Sequence, residues 1–220
     1  MIRIKALSFA PKIFASLSFA VFAASASAQL IGVSGASDVP PAIFGGFEMT
    51  VFGDDVRPNF GNENNVISPF SGVVSFSAAL SHREVGAGWL TWSHGYTGDV
   101  YFSPSSSSLT LTLPSFTSSF YFYAEPDDRG DYAFSVSSDG TVLSEIVNGN
   151  GGAEFFGFYT TDNSAISTIT ISSNDVNGFA IGEFGIARAV PVPEPSAYVW
   201  FGAAGLCGLI TARRFRRKIA

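Results

Sequence analysis

Ser108-Leu109-Thr110-Leu111-Thr112-Leu113 puts every leucine on one side of an extended chain and every hydroxyl on the other. Period two with one apolar face is the pattern of a half-buried antiparallel strand. The same beat recurs to either side. Val74, Phe76 and Ala78 alternate with Val73, Ser75 and Ser77. Tyr132, Phe134 and Val136 alternate with Ala133, Ser135 and Ser137, and Ile169 and Ile171 with Thr168, Thr170 and Ser172. Phe120 to Ala124 is apolar throughout and reads as a strand buried on both faces. Asp139-Gly140 predicts a type I′ hairpin, since both central positions of that turn take positive φ. Asn148-Gly149-Asn150-Gly151-Gly152 reads as a looser connection of the same kind. No stretch sustains a helical period and no tandem repeat stands out. The expected fold is all-β, a single antiparallel β-sandwich or barrel of short strands.

The two ends differ in composition from this body. Arg3, Lys5 and Lys12 precede an apolar run from Ile13 to Ala24, and Ala26-Ser27-Ala28 is a small-x-small site, the layout of a secretory signal peptide. Cleavage after Ala28 leaves Gln29 as the mature N-terminus. An uncleaved anchor helix needs a longer apolar run. At the other end Val192-Pro193-Glu194-Pro195 precedes an apolar segment from Ala197 to Ala212 and the basic cluster Arg213, Arg214, Arg216, Arg217 and Lys218. The segment is short for a bilayer span of about 20 residues, but flanking arginines can snorkel. The basic cluster would stay in the cytoplasm and leave the body outside. Pro193 and Pro195 hold Glu194 in extended chain that a membrane protease could grip.

Acidic motif, glycine-rich apolar run (Gly202, Gly205, Gly208) and terminal arginines together resemble the PEP-CTERM sorting signal. The resemblance implies exosortase as the sorting protease, signal peptidase and the Sec machinery as earlier partners, and a mature protein linked to exopolysaccharide or biofilm. It also implies an inner-membrane-anchored precursor released to the cell surface or matrix. The predicted organisation is a signal peptide at 1–28, a β-sandwich at 29–190, and a sorting signal at 191–220 with a transmembrane helix at 197–212. The segments 153–158, 166–172 and 178–184 resemble the end of the jelly-roll-like bodies common in such proteins. In related glycan-binding jelly rolls the last strand often carries an acid where Glu183 stands.

Charge narrows the function classes. Between the two end segments lie four arginines (Arg57, Arg83, Arg129, Arg188) against seventeen acids, a net charge of −13. Nucleic acid and anionic membrane surfaces require positive charge, so neither is an expected partner. Divalent cations or neutral glycans suit the body better. The single cysteine, Cys207, lies in the C-terminal apolar run, so no disulfide supports the body.

Chemistry is sparse. Two histidines, His82 and His94, are too few to mark a metal or acid–base centre, and no Gly-x-Ser-x-Gly elbow occurs. Glu84 and Asp99 could pair as glycosidase carboxylates only if folding brings them together. Non-enzymatic action is therefore expected, with a secreted hydrolase as the third reading. Asp54, Asp55, Asn59, Asn62, Glu63, Asn64 and Asn65 make an oxygen-rich stretch suited to calcium, without EF-hand spacing; a solvated loop explains it as well. No catalytic residue or obligatory cofactor is assigned. Glu125 to Asp131 is a second acidic loop, with Arg129 expected to form a salt bridge in a turn. Trp89, Trp92, Tyr96 and Tyr101 could stack on sugar rings, which would make the body a carbohydrate-binding module. Core packing is the competing use of such rings, and at least half of them are expected to be buried.

Overall fold

The computed structural model describes residues 29–35, 39–162 and 164–189, and these contain strands and no helix. In chain order the strands are β1 (Leu30–Ser34), β2 (Ile43–Phe44), β3 (Phe47–Glu48), β4 (Thr50–Val51), β5 (Asn62–Ile67), β6 (Val73–Glu84) and β7 (Asp99–Pro104). There follow β8 (Ser108–Thr112), β9 (Thr117–Pro126), β10 (Asp131–Ser138), β11 (Thr141–Asn148), β12 (Glu154–Thr160), β13 (Thr168–Ser173) and β14 (Gly178–Arg188). The expected signal peptide at 1–28 and the expected sorting signal at 191–220, with its apolar segment at 197–212, lie outside the described residues. Among those described, no helix is long and apolar enough to cross a membrane.

All strands but β2 and β3 join one antiparallel sheet, ordered β1-β12-β9-β14-β7-β6-β8-β13-β10-β11. It folds over itself through β6. The C-terminal half of that strand pairs β7 from Ser81 to Glu84, and its N-terminal half pairs β8 at Ser75 and Phe76. Between the two pairings Ala78 is exposed, so the predicted inward run of Val74, Phe76 and Ala78 stops at Phe76 and resumes at Leu80. The outermost strands approach each other on the far side. Thr141 Oγ1 donates to Leu30 O at 3.2 Å and Ser34 Oγ to Glu145 Oε1 at 2.8 Å. Gly32 makes this approach possible, because a Cβ there would lie 2.9 Å from Leu143 Cδ2. The result is a sandwich that almost closes into a barrel.

The interior follows from the alternation. Leu109, Leu111, Phe134, Val136, Ile169 and Ile171 meet Phe120, Phe122, Phe156, Phe158, Ile181 and Ile186 across the two layers. Every residue of β9 is buried, because its second face is also covered. On that side Phe44, Met49 and Trp92 pack on Tyr121, Tyr123 and Phe155, while Trp89 and Tyr96 pack on Val100 and Ala180. The β2–β4 segment and the loop at 86–98 thus form a partial third layer.

Asp139 (φ 42) and Gly140 (φ 83) close the β10–β11 hairpin with Ser138 opposite Thr141, as a type I′ turn requires. The 148–152 connection is a different device from the expected hairpin. Its flanking strands lie in opposite layers, β11 beside β10 and β12 between β1 and β9, so it crosses the sandwich. Glycine-rich spacing cannot distinguish a hairpin from a crossover, since both need tight backbone.

Candidate functional site

The site arises from a break in β14. That strand runs beside β9 for its whole length, but its other neighbour changes. It pairs β7 from Gly178 to Gly182, then β4 at Gly185 and Ile186. The change falls at Glu183, whose φ of 52 marks an irregularity in the ladder. Bulges of this kind re-aim a side chain and part the adjoining strands. Phe52 N–H donates to Phe184 O at 3.0 Å on one side of the split, and Asp99 opens β7 on the other.

A groove follows the split. One lobe, about 260 Å³, is lined by Phe52, Asp54, Tyr96, Asp99, Tyr101 and Glu183. An adjoining lobe of about 610 Å³ shares Asp54, Tyr96 and Asp99 and adds Asp55, Arg57, Asn59, His82 and Glu84. Glu84 and Asp99 are cross-strand partners, so folding does bring this sequence-predicted pair together. Asp54 and Glu84 stand exposed at the rim.

Hydrogen bonds make the walls rigid. Asp55 accepts from Tyr101 OH at 2.7 Å and from Arg57 Nε at 2.8 Å, and Arg57 also pairs with Glu63. Burial alone would raise the Asp55 carboxyl, but the bonds from Arg57 and Tyr101 hold it well below the usual carboxylate range. Asp99 accepts from Asp55 N–H at 2.6 Å through one oxygen and faces His82 Nε2 at 2.7 Å through the other. The second ring nitrogen of His82 points at Pro58 O, 3.2 Å away. Tyr96 OH donates to Asp99 O at 3.1 Å, and burial together with the charges of Glu183 and Asp99 pushes its phenol upward.

The loop at 86–98 forms one wall and is held by two indole–carboxylate clamps. Trp89 Nε1 donates to Glu125 Oε2 at 2.7 Å, and Thr91 Oγ1 to Glu125 Oε1 at 2.5 Å. Trp92 Nε1 donates to Glu183 Oε2 at 3.0 Å, and His94 Nε2 lies 2.6 Å from Glu183 Oε1. Glu125 is 1% exposed, and burial pushes its carboxyl up to about 7 despite those two donors. Burial raises Glu183 as well, with His94 and Trp92 opposing.

The predicted glycan residues divide accordingly. Trp89 is 8% exposed and packs over Val100 and Ala180, and Tyr101 is fully buried, so both belong to the fold. Trp92 is half-buried with its N–H committed to Glu183; it braces the wall and offers no open platform. Tyr96 alone of the four lines both lobes. The oxygen-rich stretch behaves differently from a calcium loop. Asp55 and Glu63 grip the Arg57 guanidinium, which fills the place between them that a cation would take. Asn62 lies exposed on β5. Among the described residues no group of three or more His, Cys, Asp or Glu is placed to hold a metal. Arg129 forms no salt bridge among the described residues, against expectation. Its loop crosses between layers, and Asp128 is already engaged by Asn177 Nδ2 at 2.7 Å.

Sequence reasoning put Glu125 in an acidic loop at 125–131, where the structure makes it part of β9, and assigned Arg57 no role. One signal was available: Glu125 ends the apolar run Phe120–Ala124, and an acid in a doubly buried strand needs donors.

No protein-family model matches the chain, and no curated protein matches it. Solved structures that share some likeness include the following three. A CBM22–GH10 xylanase fragment of Clostridium thermocellum, complexed with xylohexaose, is 14% identical, with a TM-score of 0.31 over 51% of this chain and 25% of that one. TmCBM61 with β-1,4-galactotriose is 15% identical, with a TM-score of 0.30 over 60% of this chain and 100% of that one. The carbohydrate-binding module CBM6cm-2 of Cellvibrio mixtus lichenase 5A with cellotriose is 11% identical, with a TM-score of 0.23 over 60% and 92%. Scores this low carry no functional argument, and function has to be read from the groove itself. What fold and groove define is an antiparallel β-sandwich with a rigid, acid-lined cleft where one strand changes neighbours.

Proposed function

We propose that the jelly-roll-like body is a carbohydrate-binding module, carried by an exported protein that exosortase sorts to the cell surface or extracellular matrix. The observation that carries the binding reading is the groove at the Glu183 bulge. It is open, lined by Tyr96, and presents the carboxylates of Glu84 and Asp99 from β6 and β7 and the Asp54 carboxylate and Asn59 amide from the loop before β5. Such groups accept and donate hydrogen bonds to sugar hydroxyls, while an aromatic ring packs against the C–H face of a pyranose. Uronic or sulfated chains would meet Asp54, Glu84 and Asp99 and be repelled, so the ligand is a neutral glycan.

Binding is favoured over hydrolysis by how the acids are used. Asp55, Asp99, Glu125 and Glu183 each engage both carboxylate oxygens in bonds that hold loops and strands. A general acid or nucleophile must reach substrate with a free oxygen, which Asp99 of the Glu84–Asp99 pair lacks. Asp54 and Glu84 keep free oxygens at the exposed rim, where they are offered to sugar hydroxyls. The sorting half of the proposal rests on Val192-Pro193-Glu194-Pro195 and the segments flanking it.

Titration of the purified protein with cellohexaose, xylohexaose and β-1,4-galactotetraose tests the binding reading. Binding to at least one is expected, weakened about tenfold by Asp54→Asn combined with Glu84→Gln. Silence towards every neutral glycan at millimolar concentration would refute it. Intact-mass measurement on protein from its own host tests sorting: residues 1–28 and those beyond the Val192–Pro195 motif should be missing.

A further inference from the structure

The turn leading into β5 breaks a local rule. In Pro58-Asn59-Phe60-Gly61 the Gly61 N–H donates to Pro58 O at 3.0 Å, and Phe60, the third residue, has φ 67. That is the position a type II turn reserves for glycine or asparagine. A bulky ring at positive φ is a true outlier, and such strain persists only where the surroundings impose it. Burial does not compensate, because Phe60 is 60% exposed.

The surroundings are built to hold the ring where it is. Phe60 N–H donates to His82 O at 2.8 Å, and Asn59 Nδ2 donates to Ala87 O. The Arg83 guanidinium carbon lies 4.3 Å from the ring centroid and backs one face. Arg83 Nε is buried without a hydrogen-bond partner, so the guanidinium is positioned for packing between Phe60 and Phe102. Gly88, at φ 146, leaves the ring its space; a Cβ there would sit 3.2 Å from Phe60 Cζ. The preceding residue, Asn59, lines the groove.

We propose that Phe60 is a stacking platform for a pyranose ring of a chain that runs past Asn59, the groove residue next to it in sequence. The idea deepens the carbohydrate-binding reading and rests on it. Arg83 stiffens the platform from behind, and Asn59 supplies a polar group beside it. The chain contains its own control. Pro114-Ser115-Phe116-Thr117 makes the same turn, with Thr117 N–H donating to Pro114 O at 3.3 Å and Phe116 at φ 67 and 69% exposed. This second turn lies at the other end of the molecule, where Ala189 N–H donates to Phe116 O at 3.2 Å.

The test compares Phe60→Gly, Phe60→Trp and Phe116→Gly in the full-length protein, titrated with the same three neutral oligosaccharides. Phe60→Gly should weaken binding by about tenfold or more, in line with aromatic stacking elsewhere. Its melting temperature should stay within about 2 °C of the parent, because glycine suits the turn. Phe60→Trp should retain affinity, and Phe116→Gly should bind as the parent does. If glycan binding persists but Phe60→Gly leaves it unchanged, the platform is wrong and the groove reading survives. A fall in melting temperature of more than about 5 °C that accounts for lost binding would make Phe60 structural and overturn the platform. Failure of the parent to bind any of the three removes both.

Discussion

Glu125 sets up a pH dependence that one substitution should erase. Its carboxyl is buried beneath Trp89 and Thr91 and is pushed up to about 7 from an ordinary 4.5. The folded protein therefore holds a proton there that the unfolded chain releases. A raised carboxyl contributes stability that is full below about pH 4.5 and is lost as pH climbs to about 7. A difference of about 2.5 pH units at 1.36 kcal/mol each sets an upper bound of about 3 kcal/mol. Glu125→Gln keeps the shape and the neutral state. Its carbonyl can accept from Trp89, and its amide can donate to Thr91 Oγ1. The variant should match the parent at pH 4.5 and exceed it by up to about 3 kcal/mol at pH 8. Urea unfolding at half-unit intervals between these limits measures the gap. Asp127, Glu154 and Glu183 are also raised, mainly by burial, but they titrate in both proteins and cancel in the difference. Parallel curves, with no gap opening above pH 6, would refute the idea that Glu125 is buried neutral. A loop that opens before the body unfolds would show instead as early quenching of Trp89 and Trp92 fluorescence.

Three other outcomes follow from the same contacts. Arg57→Met should cost about 2 kcal/mol at pH 7, because it strips the half-buried Asp55 and Glu63 of their shared cation; the loss should shrink as acid protonates Asp55, and thermal melts at pH 7 and pH 3 give both values. Gly185→Ala would drive a methyl group into the buried Tyr121 ring, so a loss of about 3 kcal/mol or failure to fold is expected, scored by soluble yield and circular dichroism. Calcium at millimolar concentration should leave the melting temperature unchanged, since Arg57 already holds the carboxylates of the oxygen-rich stretch; a rise of several degrees that is lost in Asp55→Asn would contradict this.

Strand identity was legible in the chain because a period of two is local. Leu109, Leu111, Phe134, Val136, Ile169 and Ile171 face the core as the pattern demands, and Asp139-Gly140 turns as its φ requirement dictates. Charge balance is likewise local, and the arithmetic of arginines and acids holds whatever the fold. Which strands are neighbours is not local. β9 lies between β12 and β14, and β6 serves both layers, through pairings that no window of sequence contains. The groove depends on such pairings: Glu183 lies in it because β14 exchanges β7 for β4 at that residue. The fates of the tryptophans were equally hidden, since a ring that pins a loop and a ring that meets a ligand have the same letter. Phe60 is the clearest case. In the sequence it is one phenylalanine among 22, and only the folded backbone shows it held at positive φ with its face to solvent.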